Sequence, residues 1–175
     1  MKNLHKVIEN RQKNKKIVLA KPNDNEVSIF ENSILITEID KEGYITYVNR
    51  RYIKLSGFSK EMLLGSHYSI DRHPDMPEGL FIARDNIVGE KKIWRGYIKS
   101  LRQDGSFYWT LTYMQAKLNS FGDVNGYILT RRMAYPTSIE EVEKVYKSLQ
   151  GSKYIGHDYF MSAELYHRDS IASYA

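Results

Sequence analysis

Ile45-Thr46-Tyr47-Val48-Asn49-Arg50-Arg51-Tyr52-Ile53-Lys54-Leu55-Ser56-Gly57-Phe58 is the stretch that decides the fold. Up to Asn49 it is rich in β-branched and aromatic residues, as in a strand packed on one face. From Arg50 onward the apolar residues Tyr52, Ile53 and Leu55 come at helical spacings, and Gly57 interrupts them. Asn49 stands at the junction, where its short amide caps the backbone N–H groups of a first helical turn.

Upstream, Ser33–Asp40 is a second β-branched run, and Lys41-Glu42-Gly43 separates it from Tyr44–Asn49. The two read as a β-hairpin with a short glycine-containing loop. Downstream, Ser59 is placed to cap a short helix, with Met62 where a capping box would carry Glu or Gln. A longer helix is predicted from Leu80 to Val88 after Met76-Pro77, with Gly89 as its stop. From Lys92 the period returns to strands at Ile93–Lys99, Ser106–Met114 and Asn125–Arg132, the first two joined through Asp104-Gly105. Pro136–Glu141 then starts an amphipathic helix whose stripe is Ile139, Val142, Val145, Tyr146 and Leu149.

This order predicts an α+β fold: a five-stranded antiparallel sheet with short helices on one face and flanking N- and C-terminal helices. Residues 1–25 read as a basic segment, with a cap helix expected because Leu4, Val7 and Ile8 share a helical face. The break Lys21-Pro22-Asn23-Asp24-Asn25 bounds it. The domain proper is expected over 26–134, the C-terminal helix over 135–150, and a polar, tyrosine-containing tail over 151–175.

The 175 residues are enough for one cored domain with short flanks. There is no cysteine, which excludes disulfides, thiolate-bound zinc, iron–sulfur clusters, thiol catalysis and cysteinyl–flavin chemistry. The total charge is +5, but residues 1–21 carry seven Lys/Arg against one acid and so hold +6, leaving −1 for the rest. The basic character is therefore local, and no nucleic-acid partner is expected beyond what that segment alone would attract. No run approaches the ~20 apolar residues of a membrane-spanning helix, and the N-terminus lacks the apolar core of a secretory signal. Membrane insertion is not expected, and a cytoplasmic location is.

Arg72-His73-Pro74-Asp75-Met76-Pro77 concentrates the reactive side chains. Arg72 has the paired donors that hold a phosphate, or it makes a local surface ion pair. His73 can donate to a ligand or cap the following helix. Asp75 can orient its neighbours or act as an ordinary acid at a helix start. Trp94 can stack on a planar ligand or serve as core, and Trp109 reads as sheet packing or an interface. His73, Asp75 and His67 are too few for a metal site. No nucleophile elbow, P-loop or HExxH motif is present, and an enzyme is not expected.

Taken together, the motifs resemble the PAS family over about residues 30–135. They are Ile45–Asn49, Tyr52, Leu55-Ser56-Gly57-Phe58, Glu61-Met62-Leu63-Leu64-Gly65, and Lys99–Trp109 with its Asp104-Gly105. Arg72–Pro77, Phe81 and Trp94-Arg95-Gly96 further resemble the aerotaxis-receptor subfamily of PAS domains, whose members hold FAD noncovalently. That resemblance implies cofactor contacts at Asn49, Arg72, His73, Asp75, Phe81 and Trp94. It also implies relay of a redox or oxygen-linked state to a chemoreceptor-like transducer in trans, with a homodimer as a further arrangement. The chain departs from the subfamily at Ser69 and Ser100, where Asn is usual, and at Asp85, where Trp is common. The departures favour the alternative, a cofactor-free PAS interaction module.

Overall fold

The computed structural model describes residues 7–11 and 15–152. The stretch Ile45–Phe58 forms β4 (Ile45–Val48) and α1 (Arg50–Ser56). Asn49 caps α1 as expected, its Oδ1 accepting from Tyr52 N at 3.0 Å. Gly57 ends the helix in the left-handed region at φ 74°, a conformation that costs a glycine little. Upstream, β3 (Leu35–Ile39) pairs antiparallel with β4.

The short helix α2 (Lys60–Leu63) starts at Ser59, whose hydroxyl accepts from Met62 N at 3.2 Å. A single 3-10 turn, Tyr68–Asp71, leads to α3 (Glu78–Gly89). Three long strands follow: β5 (Trp94–Leu101), β6 (Phe107–Leu118) and β7 (Val124–Met133). The main sheet has the order β4-β3-β7-β6-β5, so the last strand lies at its centre and joins the first hairpin to the later one. This is the five-stranded antiparallel sheet that the sequence predicts.

Side-chain alternation gives each strand two faces. Leu35, Thr37, Ile39, Val48, Trp94, Ile98, Ser100, Tyr108, Thr110, Thr112, Met114, Leu129 and Arg131 share the inner face by register. The core forms between this face and the helices, where Phe58, Leu63, Ile70, Leu80 and Val88 are buried. α4 (Pro136–Ser148) lies instead on the outer face. Its Tyr146 donates to Tyr97 O at 2.8 Å and stacks on Trp109 with centroids 6.4 Å apart.

The N-terminal cap helix is corrected. Val7–Asn10 (β1) and Lys15–Val18 (β2) pair antiparallel as a separate two-stranded sheet. The burial period is two: Ile8 and Asn10 are buried while Glu9 and Arg11 are exposed, and Ile17 and Leu19 are buried while Lys16 and Val18 are exposed. Three apolar residues on one helical turn were too few to outweigh that alternation. Asn10 fastens the hairpin to the domain, donating to Leu64 O at 2.9 Å and Ser66 Oγ at 3.0 Å. The expected tail from residue 153 onward lies outside the described residues.

Candidate functional site

Between α3 and the inner face lies a small cavity of about 20 Å³. Tyr68, Ser69, Asp71, Arg72, Phe81, Arg84, Ile98, Ser100, Thr112, Leu129 and Arg131 line it. Two of the six residues expected at a cofactor site are here. Arg72 lies over the Phe81 ring, with its guanidinium carbon 3.7 Å from the centroid. That contact lets a partly desolvated cation rest on an aromatic face. Burial pushes the Arg72 pKa below its ordinary value, and Tyr68 nearby opposes the shift.

His73 and Asp75 go elsewhere, for a simple geometric reason. The segment after the 3-10 turn runs beside the edge strand β5 and bridges it at Arg72 and Ser100. Alternation then sends Arg72 toward the inner face and His73 toward the outer one. His73 meets the Phe107 ring edge-on, with centroids 5.8 Å apart. Its Nδ1 accepts from Asp75 N at 3.1 Å, which leaves the proton of the neutral ring on Nε2. Burial drives its pKa down to about 4, with Asp75 opposing and Lys99 assisting. Asp75 is exposed and pairs with Lys99 at 2.8 Å. Burial raises the Asp75 pKa, but the Lys99 and His73 contacts outweigh it and hold the carboxyl below its usual range.

The remaining two expected residues are used by the fold. Asn49 caps α1, accepts from Ile36 N at 3.2 Å and donates to Ile34 O at 2.8 Å. Trp94 is 1 % exposed, on the inner face but outside the lining of the cavity. Its indole lies over Gly96 so closely that a Cβ there would meet the ring at 2.5 Å. The Trp-x-Gly spacing is thus a packing pair on one face of β5.

The structure adds residues that the sequence reading missed. Arg131, on central strand β7, is 3 % exposed and donates to Thr37 Oγ1 at 2.8 Å. Burial works against its charge, but Tyr52, Asp71 and Tyr108 outweigh this and leave the pKa raised, so Arg131 is a buried cation. Asp71 is buried and accepts from the Tyr52 hydroxyl at 3.0 Å. Burial first, and then Asp71, raise the Tyr52 pKa well above its ordinary value. Arg84 reaches from α3 to the Tyr68 hydroxyl and pairs with Asp85 at 2.7 Å. A signal for Arg131 was present: adjacent residues of a strand point to opposite faces, so of Arg131 and Arg132 one must face inward.

Ser69 and Ser100 line the cavity, and Asp85 holds Arg84 against it, so the three departures from the subfamily pattern all fall at this place. The chemistry of the wall fits a flavin. Arg72 Nε is buried without a hydrogen-bond partner, and a donor left so is costly unless something accepts from it. Phe81 and Ile98 supply apolar surface, while Arg72 and Arg131 supply positive charge for an anionic group. The present volume is on the scale of one water molecule. A ring system therefore requires Arg72 and Arg84 to swing aside, which long unbranched side chains allow. Among the described residues no three His, Asp or Glu side chains gather as metal ligands, and no helix is long and apolar enough to cross a membrane.

The aerotaxis receptor of Escherichia coli (strain K12) is 28 % identical over 123 residues, covering 70 % of this chain and 24 % of the receptor. Hybrid signal transduction histidine kinase L of Dictyostelium discoideum is 28 % identical over 121 residues, covering 67 % of this chain and 7 % of the kinase. The chain thus spans a quarter or less of the length of these relatives. The dark structure of the blue-light photoreceptor Aureochrome1 LOV superposes with a TM-score of 0.54 at 20 % identity, covering 69 % of this chain and 86 % of that one. A light-oxygen-voltage domain studied with a flavin analogue superposes with a TM-score of 0.56 at 16 % identity, covering 66 % of this chain and 86 % of that one. At such identities these structures speak for the fold. The PAS fold family matches residues 29–132, more than half of the chain, and this protein is a member of that family.

Proposed function

We propose that this PAS domain binds FAD noncovalently in the cavity beneath α3 and relays a redox or oxygen-linked state to a separate chemoreceptor-like transducer. It acts as a cytoplasmic sensor rather than as an enzyme. The observation that carries the reading is the cavity wall: Arg72 stacked on Phe81, buried Arg131 in the same lining, and a buried donor on Arg72 Nε awaiting an acceptor. A bound flavin supplies electron-transfer chemistry that the protein's own side chains lack. Arg72 would orient an anionic part of the cofactor, and Arg131 would hold positive charge against the inner face. A change of charge inside the cavity then bears on Arg131, and through Thr37 and Tyr52 on β3 and α1. The relay requires only that the two states bind the partner with different affinity.

A second reading, a cofactor-free PAS interaction module, is favoured by the cavity's small volume and by Ser69, Ser100 and Asp85 around it. One measurement separates the two. Purified protein is scanned for flavin absorbance, and the chromophore released by acid is identified by chromatography. Flavin bands with FAD in the supernatant are expected, and Arg72→Ala should lose most of them. A colourless protein that also ignores added FAD and FMN would establish the interaction module instead.

A further inference from the structure

Away from the inner cavity, a groove of about 350 Å³ opens between the segment preceding β3 and the exposed side of α1. Its apolar surface comes from Val27, Ile29, Leu35 and Leu55, and Phe30 stands at its lip 83 % exposed. Phe30 thereby extends the apolar floor of the groove out to its rim. The groove is preformed. Val27 N donates to Phe107 O at 2.8 Å, Ser33 N to Phe30 O at 2.9 Å, and Arg51 Nη1 to Asn32 O at 3.1 Å. Arg102 closes one end and is tied down by Leu55 O and Asp104.

Charge decides what fits. Arg51, Lys54 and Arg102 line the groove, and no carboxylate does. Beyond the first 21 residues the chain sums to −1, so this concentration of positive charge is local. Arg51 and Lys54 lie three residues apart on α1, a spacing that puts them on one helix face. The complement is a segment with large apolar side chains on one side and carboxylates beside them. A convex lipid-binding patch would present Phe30 outward without a concave floor behind it.

We propose that this groove docks an acidic amphipathic helix of a partner protein, its apolar side chains seated beside Phe30 and its carboxylates against Arg51 and Lys54. The proposal does not depend on flavin binding. Its test uses a fluorescein-labelled peptide of about four helical turns, with Leu at i, i+4 and i+7 and Glu at the flanking positions. A matched peptide carries Lys in place of every Glu. Anisotropy gives affinity, and amide shifts in a two-dimensional NMR spectrum give location.

The acidic peptide is expected to bind, to shift Phe30, Lys54 and Leu55, and to weaken as salt rises from about 0.05 to 0.2 M. Phe30→Ser, and separately Arg51→Glu with Lys54→Glu, should each weaken it by about tenfold or more. All three positions are exposed; because Arg51 also holds Asn32 O, Lys54→Glu alone is the charge test that leaves the groove's own ties intact. The charge-reversed variant should bind the lysine peptide in exchange. Equal binding of both peptides, shifts elsewhere, or no binding would overturn the proposal. So would phosphatidylglycerol vesicles that bind the protein through the same residues while the acidic peptide does not, since the groove would then serve a membrane surface.

Discussion

His73 serves the fold as a neutral acceptor. Its ring is buried, its Nδ1 holds the Asp75 N–H, and its pKa falls from the ordinary ~6.5 to about 4. Between those values the unfolded chain takes up a proton that the folded protein refuses. The stabilisation is therefore complete above pH 6.5 and is lost as pH falls toward 4. Urea unfolding at pH 7 and pH 5 should differ by about 2 kcal/mol from this group. His73→Phe should flatten most of that slope, and an unchanged slope would reject the assignment. Gly96 gives a second test at this scale. A methyl there meets the Trp94 indole at 2.5 Å, so Gly96→Ala should cost about 1–3 kcal/mol. Trp94→Phe in the same chain should recover part of the loss, because a smaller ring frees the space. Equal urea midpoints for Gly96→Ala and the parent would contradict this packing.

At the scale of elements, α4 is the helix best placed to respond to the sheet. It touches the outer face chiefly through Tyr146, which is 5 % exposed, while Ile139, Val142, Val145 and Leu149 are only half-buried. Ile139, Val142 and Leu149 pack against the core but stay partly open, and a helix buried mainly at one residue detaches at lower free energy than the sheet unfolds. Tyr146→Ala should raise amide hydrogen exchange across Pro136–Ser148 by about tenfold or more, leaving β6 and β7 protected. Unchanged exchange in the helix, or equal loss in the strands, would refute Tyr146 as the main anchor. From β3 to α4 the elements were legible because burial on the sheet writes period-two patterns and the caps at Asn49 and Ser59 carry their own chemistry; the N-terminal hairpin, too short to show its period, was not. The site was only half legible. Arg72 and Phe81 announce themselves through their motif, but the direction of His73 follows from a bridge between residues 72 and 100 that no local pattern encodes. Arg131 and Asp71 were passed over because a charged residue in sequence reads as exposed, and their burial depends on the partners Thr37 and Tyr52 that only the fold brings to them.

For the whole molecule, the question is whether the N-terminal hairpin is an accessory or part of the cooperative unit. It places Ile8, Ile17 and Leu19 in the same core cluster as the sheet and helices. Asn10 is 2 % exposed and bonds to Met62 O and Leu64 O at the end of α2, and the guanidinium of Arg11 lies 3.6 Å from the centroid of the Tyr44 ring. Against these gains stands the entropy of ordering the segment, which consumes most of them. The surplus should be a few kcal/mol, too little for an independent two-stranded unit, since an isolated hairpin is marginal in water. Deleting residues 1–20 should therefore leave a folded five-stranded domain with a single thermal transition, lowered by roughly 5–10 °C. Asn10→Ala alone should account for about 1–3 kcal/mol of that loss, because it strips buried carbonyls of their donor. Exchange should quicken first in α2 and at Gly65, whose carbonyl accepts from Arg11 N at 2.9 Å. A deletion variant that melts at the parent temperature would make the hairpin an ornament on the domain, and one that fails to fold would make it part of the nucleus of the core.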